Sequence, residues 1–154
     1  MPSRRNAIAM TDPELHRFLQ EERVVTVATI GPSGRPHLMP LWFVADAAVV
    51  SAWTFGKSQK VKNLERDPRA TLQVEAGDAY QELRGAMLEC DVEIVRDTDQ
   101  VTQIGAAVAR RYAGAPAGEI PDAVRRQAPK RVGLIFRPTR VASWDHRKLG
   151  SGGY

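Results

Sequence analysis

The sequence predicts a mainly β domain with inserted helices, its strands antiparallel and closing, or nearly closing, on themselves. Three observations carry this. β-branched and apolar runs of similar length recur between turn signals, at residues 24–30, 37–44, 47–54, 70–75, 81–95 and 131–144. Helical spacing is confined to short stretches between them. Nothing alternates strand and helix in the manner of a parallel sheet, and no Gly-x-Gly-x-x-Gly or Walker motif is present. Several antiparallel strands leave edges that need covering, and a barrel covers them.

The elements follow in order. Residues 1–10 are basic near the start but lack an apolar stretch behind Arg4 and Arg5, so they read as a flexible tail and not as a signal peptide. Thr11-Asp12-Pro13-Glu14 is a capping box, and Leu15, Phe18 and Leu19 form the apolar stripe of a helix ending near Glu22. The strand at 24–30 turns through Gly31-Pro32-Ser33-Gly34 into the strand at 37–44, an antiparallel hairpin. Pro40 cannot donate to a ladder, which places that strand at an edge, at a bulge, or opened towards something else. After the third strand, Ser58 is a good N-cap for a helix carrying Val61 and Leu64, stopped by Asp67-Pro68. In the long strand over 81–95, Gly85 marks a bulge or a close approach. Asp97 or Thr98 caps a helix with Val101, Ile104, Val108 and Tyr112 on one stripe. A Pro- and Gly-rich loop, a short helix at 122–128 and a last strand interrupted by Pro138 follow. The domain spans residues 11–150, and 151–154 is a second flexible tail.

Bulk properties narrow the function. At 154 residues the chain fits one domain with a core of its own. No apolar run is long enough to span a bilayer, so the expectation is a cytoplasmic protein without a membrane partner. One cysteine, Cys90, excludes an internal disulfide and a multi-cysteine zinc site; it sits on the apolar face of an alternating strand and reads as core. The net charge of +4 suits an anionic ligand. Aromatics make up 6% of residues and are not interleaved with the basic ones, so a nucleic-acid partner is not expected.

The chemistry concentrates where the third strand meets the next helix. Lys57, Lys60 and Lys62 fall within six residues around Ser58, so ammonium groups and helix N–H groups can converge on one phosphate. A solvated helix start is the plain alternative. Arg125, Arg126, Lys130 and Arg131 form a second, acid-free cluster, for which simple solubility is the alternative. His37 reads as a hairpin-end residue or a ligand contact, since a lone histidine lacks the orienting partner that general-base chemistry needs. His146 beside Asp145, with Ser143 or Ser151, makes a weak triad, because neighbours on an extended segment point apart. Neither histidine has a ligand partner at helical spacing, and no metal site is expected. Trp53 and Phe55 read as core, and Tyr80 and Arg84 open the long strand.

Residues 26–37, then Lys57-Ser58-Gln59-Lys60 with Asn63-Leu64-Glu65-Arg66-Asp67-Pro68-Arg69, resemble the pyridoxamine 5'-phosphate oxidase-like flavin-binding split-barrel superfamily. Within it they are similar to the actinobacterial oxidoreductases that use the deazaflavin F420, as is the closing run from Ser143 through Trp144 to Gly150. The resemblance implies a six-stranded split β-barrel that forms a homodimer, with two cofactor sites in grooves between subunits. It places the ring against Met39, Pro40, Leu41 and Trp42, with Trp144 also at the site, and the phosphate at Thr54, Lys57, Ser58 and Lys60. It implies hydride transfer to an unsaturated small-molecule substrate, with no catalytic side chain identified. FMN carries one phosphate, whereas F420 carries a phosphodiester followed by glutamate carboxylates, so a long basic surface favours F420. An FMN-dependent oxidoreductase and a non-catalytic binder of flavin or haem remain alternatives.

Overall fold

Two edge strands joined by only two residues govern the architecture. A computed structural model, which describes residues 3–152, shows one seven-stranded antiparallel sheet in the order β2-β1-β5-β6-β7-β4-β3. The strands are β1 (Val25–Ile30), β2 (Pro36–Leu41), β3 (Val44–Asp46), β4 (Val49–Phe55), β5 (Arg69–Ala76), β6 (Arg84–Val95) and β7 (Arg131–Asp145). The helices are α1 (Arg4–Ile8), α2 (Asp12–Glu21), α3 (Gln59–Arg66), α4 (Thr98–Ala113) and α5 (Asp122–Gln127). β2 and β3 are the outermost strands, yet only Trp42 and Phe43 separate them. Such a link spans at most about 11 Å. The two edges therefore stand side by side, and the sheet curls into a split barrel.

The strand count is seven where six were expected, because residues 37–44 divide at this link. Phe43 turns into the core with 0% exposure while Trp42 stays outside at 58%. Pro40 is accommodated as an edge strand requires, since β2 pairs with β1 alone. The Gly31 N–H donates to the Arg35 carbonyl at 2.9 Å across the first turn, with Gly34 in the left-handed region at φ 83°. Pro138 does not interrupt β7. A bulge absorbs it: Glu89 faces Arg140, Cys90 faces Pro138, and the Thr139 hydroxyl between them donates to the Glu89 carbonyl at 3.1 Å. Gly85 is a site of close approach: a Cβ there would lie 2.1 Å from the Trp144 ring on β7.

Alternation along each strand sends one face inward, where Val25, Val27, Val50, Ala52, Leu72, Leu88, Leu134 and Phe136 meet the stripe Leu15, Phe18 and Leu19 of α2 and Val61 and Leu64 of α3. Cys90 belongs to this core, and burial pushes its thiol up to about 12. On the outer face α4 lies over β4 and β7, with Gly105 against the Trp53 ring. The capping box of α2 is formed as read, the Thr11 N–H donating to Glu14 Oε2 at 2.7 Å and the Glu14 N–H to Thr11 Oγ1 at 3.4 Å.

The expected leading tail is corrected in part. Residues 4–8 are helical, Ser3 Oγ accepting from the Asn6 N–H, because the C-terminal segment offers a surface to dock on. The Met10 N–H donates to Ser143 Oγ at 2.9 Å, and Lys148 Nζ donates to the Ala9 carbonyl at 2.8 Å and to Glu14 Oε2 at 2.6 Å. The closing tail begins later than expected, as a 3-10 segment runs over His146–Gly152; residues 1, 2, 153 and 154 lie outside the described residues.

Ala47 turns the β3–β4 hairpin at φ 50°, where a Cβ costs about 1–2 kcal/mol and glycine's extra entropy costs about 0.5–1. Ala47→Gly is therefore expected to raise Tm by roughly 2–4 °C in thermal melts; a lower Tm would show that the turn carries no strain. Gly85→Ala is expected to cost about 1–3 kcal/mol in denaturant titration, with the Trp144 ring displaced. Unchanged stability would mean that the ring moves aside freely.

Candidate functional site

At one end of the barrel α3 runs from the end of β4 across to β1. The Asn63 side-chain amide donates to Thr29 Oγ1 at 3.0 Å, and Arg66 Nη2 donates to the Ile30 carbonyl at 2.6 Å. The phase of the helix decides which cations matter. Val61 and Leu64 face the core, and Lys60 shares their side with 7% exposure, whereas Lys62 points to solvent. The three-lysine convergence thus reduces to Lys60, with Lys57 exposed at the rim. Thr54, the next-to-last residue of β4, is buried, and its Oγ1 accepts from Lys60 Nζ at 3.0 Å.

Lys60 is a buried cation without an anion. Among the described residues, none of Lys57, Lys60, Lys130 and Arg131 has a carboxylate partner; Arg96 nearby pairs with Glu65 at 3.3 Å. Burial, then the Arg131 charge, holds the Lys60 ammonium below the usual lysine range. Arg131 opens β7 with its guanidinium 4.5 Å from the ring centres of both Trp53 and Phe55, and burial lowers its pKa too.

Among the described residues, three buried side-chain polar atoms have no hydrogen-bond partner: Ser58 Oγ, Arg131 Nε and His37 Nδ1. Ser58 sits at the N-cap of α3 with extended backbone, as read, but its hydroxyl caps nothing. His37 faces Thr29, the residue that α3 bonds. Folded proteins rarely leave such atoms unpaired. Ser58 and Arg131 lie at the start of α3, where the Gly56 N–H donates to the Lys130 carbonyl and the Arg131 charge acts on Lys60, so this end of the helix is a cradle of unpaired donors of the kind a phosphate group accepts from.

The remaining expected residues divide into two groups. Lys57 lines a groove of about 600 Å³ with Phe55, Gly56, Arg96, Lys130 and Arg131, the last of which also bears on Lys60. Met39, Pro40 and Leu41 lie on β2, which leads away from the Thr29–His37 pair, and Trp42 ends about 17 Å along it from His37. Trp144 is not brought to the cradle. Thr54 faces Val132 at one end of β7 and Trp144 lies at the other, on the same side of the sheet as Trp42: Pro40, Thr26, Gln73, Met87 and Ala142 form one row, and both tryptophans lie two residues beyond it.

The weak triad does not form. His146 Nδ1 lies 2.8 Å from the Tyr80 carbonyl, Asp145 is bonded by Arg147 at 2.7 and 2.9 Å, and Ser143 Oγ accepts from Met10. Arg84 pairs with Glu21 and Glu22 at the far end from the cradle. Among the described residues no cluster of His, Cys, Asp and Glu could hold a metal ion, and no helix is long and apolar enough to cross a membrane. Sequence reasoning read Tyr112 only as part of a helical stripe and Asn63 only within the family-like run, and gave Arg111 no role, although Asn63 ties α3 to β1 and Arg111 and Tyr112 hold the Trp42–Phe43 link. No short-range pattern marks them, because their partners are distant in the chain.

The pattern that defines the pyridoxamine 5'-phosphate oxidase family matches residues 11–145. A conserved hypothetical protein from Mycobacterium tuberculosis is similar in structure at 40% identity and a TM-score of 0.89, over 97% of this chain and 93% of that one. An F420 reductase is similar at 26% identity and a TM-score of 0.65, over 82% and 94% of the two chains. The heme storage protein of Vibrio cholerae, 22% identical with a TM-score of 0.65 over 84% and 91%, shares the fold. No curated protein sequence matches the chain. The curled sheet, the α3 cradle and the match over nearly the whole barrel agree: the chain belongs to the pyridoxamine 5'-phosphate oxidase family of flavin-binding split barrels.

Proposed function

We propose that the protein is an F420-dependent oxidoreductase acting on an unsaturated small organic substrate. The observation that carries this is the buried Lys60 ammonium bonded only to a hydroxyl, with Arg131, whose charge acts on it, in the wall of a groove that Lys57 and Lys130 also line. A single phosphate satisfies the cradle. The exposed Arg125 and Arg126 on α5, beyond Lys130, suit a longer anionic chain, and the likeness to an F420 reductase supports the same choice.

Within this reading the chain's own residues bind and orient. Lys60, Arg131 and Ser58 fix the phosphate, and the low-dielectric surroundings of Lys60 strengthen that contact. β2 and the link after it supply apolar groups for the ring, Pro40 and Trp42 on one side and Met39 and Leu41 on the other. F420, when bound, supplies the hydride chemistry. We further propose that the protein works as a homodimer: Leu38 and Met39 on the edge strand β2 and Trp42 just after it leave apolar side chains exposed, of the kind that mark association surfaces.

The first test is a fluorescence titration with F420 and with FMN. F420 is expected to bind in the micromolar range or below, and FMN more weakly; equal or tighter FMN binding would reassign the cofactor, and binding without turnover of enones or quinones would leave a binding protein. Lys60→Ala is expected to weaken F420 by at least about thirtyfold, since truncating one partner of a buried charged contact costs roughly 2–5 kcal/mol. Unchanged binding would remove Lys60 from the site.

Stability offers a second, ligand-free test. With its folded pKa below 10.5, Lys60 binds fewer protons folded than unfolded between those two values, so stability gains as pH rises through that window. Lys60→Met is expected to melt higher than wild type at neutral pH and to lose this rise. Parallel pH profiles for the two proteins would show that the lysine is solvated.

A further inference from the structure

We infer that Tyr112 on α4 is a positioning residue that holds Trp42 flat as a stacking platform for the ring of the bound cofactor, an inference that rests on the proposal that the ring lies along β2. Trp42 and Tyr112 stack at 4.7 Å between ring centres with planes 6° apart. Trp42 is nonetheless 58% exposed, as expected for an indole covered on one face with the other open. The fold fixes this position outside but does not require an indole there. Phe43 alone fills the core at the link, and an exposed indole buries little of its apolar area.

The support beneath the indole is heavily determined. The Tyr112 hydroxyl accepts from the Phe43 N–H at 3.0 Å, and its proton is placed between the Arg23 and Phe43 carbonyls, both at 2.9 Å. The Arg23 guanidinium lies 4.5 Å from the Tyr112 ring centre. Arg111, one residue earlier, donates to the Phe43 carbonyl at 2.6 Å, to the Leu19 and Gln20 carbonyls at 2.9 and 3.0 Å, and to the Glu22 carbonyl. Both polar groups of the Phe43 backbone are thus tied to α4, next to the residue whose ring stands free. A side chain with its rotamer fixed in this way loses little entropy when a planar ligand stacks on it.

The test compares wild type, Tyr112→Leu and Tyr112→Phe in titrations with F420 and FMN over a range of salt. Tyr112→Leu, which removes the stack, is expected to raise the Kd of the preferred cofactor about five- to tenfold. The salt dependence should stay unchanged, because the phosphate contacts are intact, and the near-ultraviolet dichroism of the apoprotein should weaken. Tyr112→Phe keeps the ring and is expected to stay within about threefold of wild type. Where Tyr112→Leu fails to fold, Trp42→Leu removes the platform itself and is expected to lose at least as much affinity. Equal Kd for wild type and the leucine variants, or a phenylalanine variant as weak as the leucine one, would overturn the platform and leave the oxidoreductase reading standing. A wild type that binds neither cofactor would overturn both.

Discussion

The link between the two outermost strands is the constraint on which the rest of the molecule depends. With two residues between β2 and β3, the sheet cannot lie open; it must curl until its first and last strands meet, and a single enclosed face results. That face can be filled by the inward residues of every strand, leaving only the barrel ends to cover. α2 covers one region with Leu15, Phe18 and Leu19, and α3 covers another with Val61 and Leu64. The same link decides what is left outside. Once Phe43 is committed to the core, its neighbour Trp42 must face solvent, and the hydrogen bonds from Arg111 and Tyr112 keep it there.

Against this well-filled interior, the α3 end stands out as the place where stability is given up. An apolar residue at position 60 would satisfy the helix face, and an ammonium held there without a counter-charge costs free energy until an anion arrives. Arg131 adds to the same imbalance between Trp53 and Phe55. Elsewhere the chain pairs its charges locally: Arg69 with Asp67, Arg147 with Asp145, Lys148 with Glu14. Surface ion pairs of this kind contribute little, but they show that neutralising carboxylates are plentiful and are kept away from Lys60. The anionic ligand proposed above would complete this charge.

Where local chemistry decides the structure, the chain could be read directly. The Gly31-Pro32-Ser33-Gly34 turn, the Thr11–Glu14 capping box, the stop at Asp67-Pro68 and the edge placement of Pro40 each follow from one residue's backbone demands. The division of residues 37–44 could not be read, because apolar residues simply continue through Leu41-Trp42-Phe43-Val44 and the break is imposed by α4, far along the chain. Pro138 misled for a related reason: a bulge opposite Glu89 and Cys90 takes it up, and bulges have no strong sequence mark. At the site, three lysines looked alike until helix phase separated Lys60 from Lys62. Arg131 was grouped with a surface cluster because its aromatic neighbours belong to β4.

The position of Trp144 bears on how many chains a complete site needs. Within one chain, β2 leads from His37, opposite the Thr29 that α3 bonds, to Met39 and then to Trp42 just beyond the strand. Trp144 lies four strands from β2, roughly 19 Å along the sheet, and its ring already covers the space above Gly85. Around the closed edge, through β3 and β4, β7 lies three strands from β2. In the proposed dimer, a second copy brought alongside by Leu38, Met39 and Trp42 is a further route by which Trp144 would meet the cofactor. The proposals of a dimer and of a site for Trp144 thus stand together, whereas Lys60 and Trp42 keep their roles in either case.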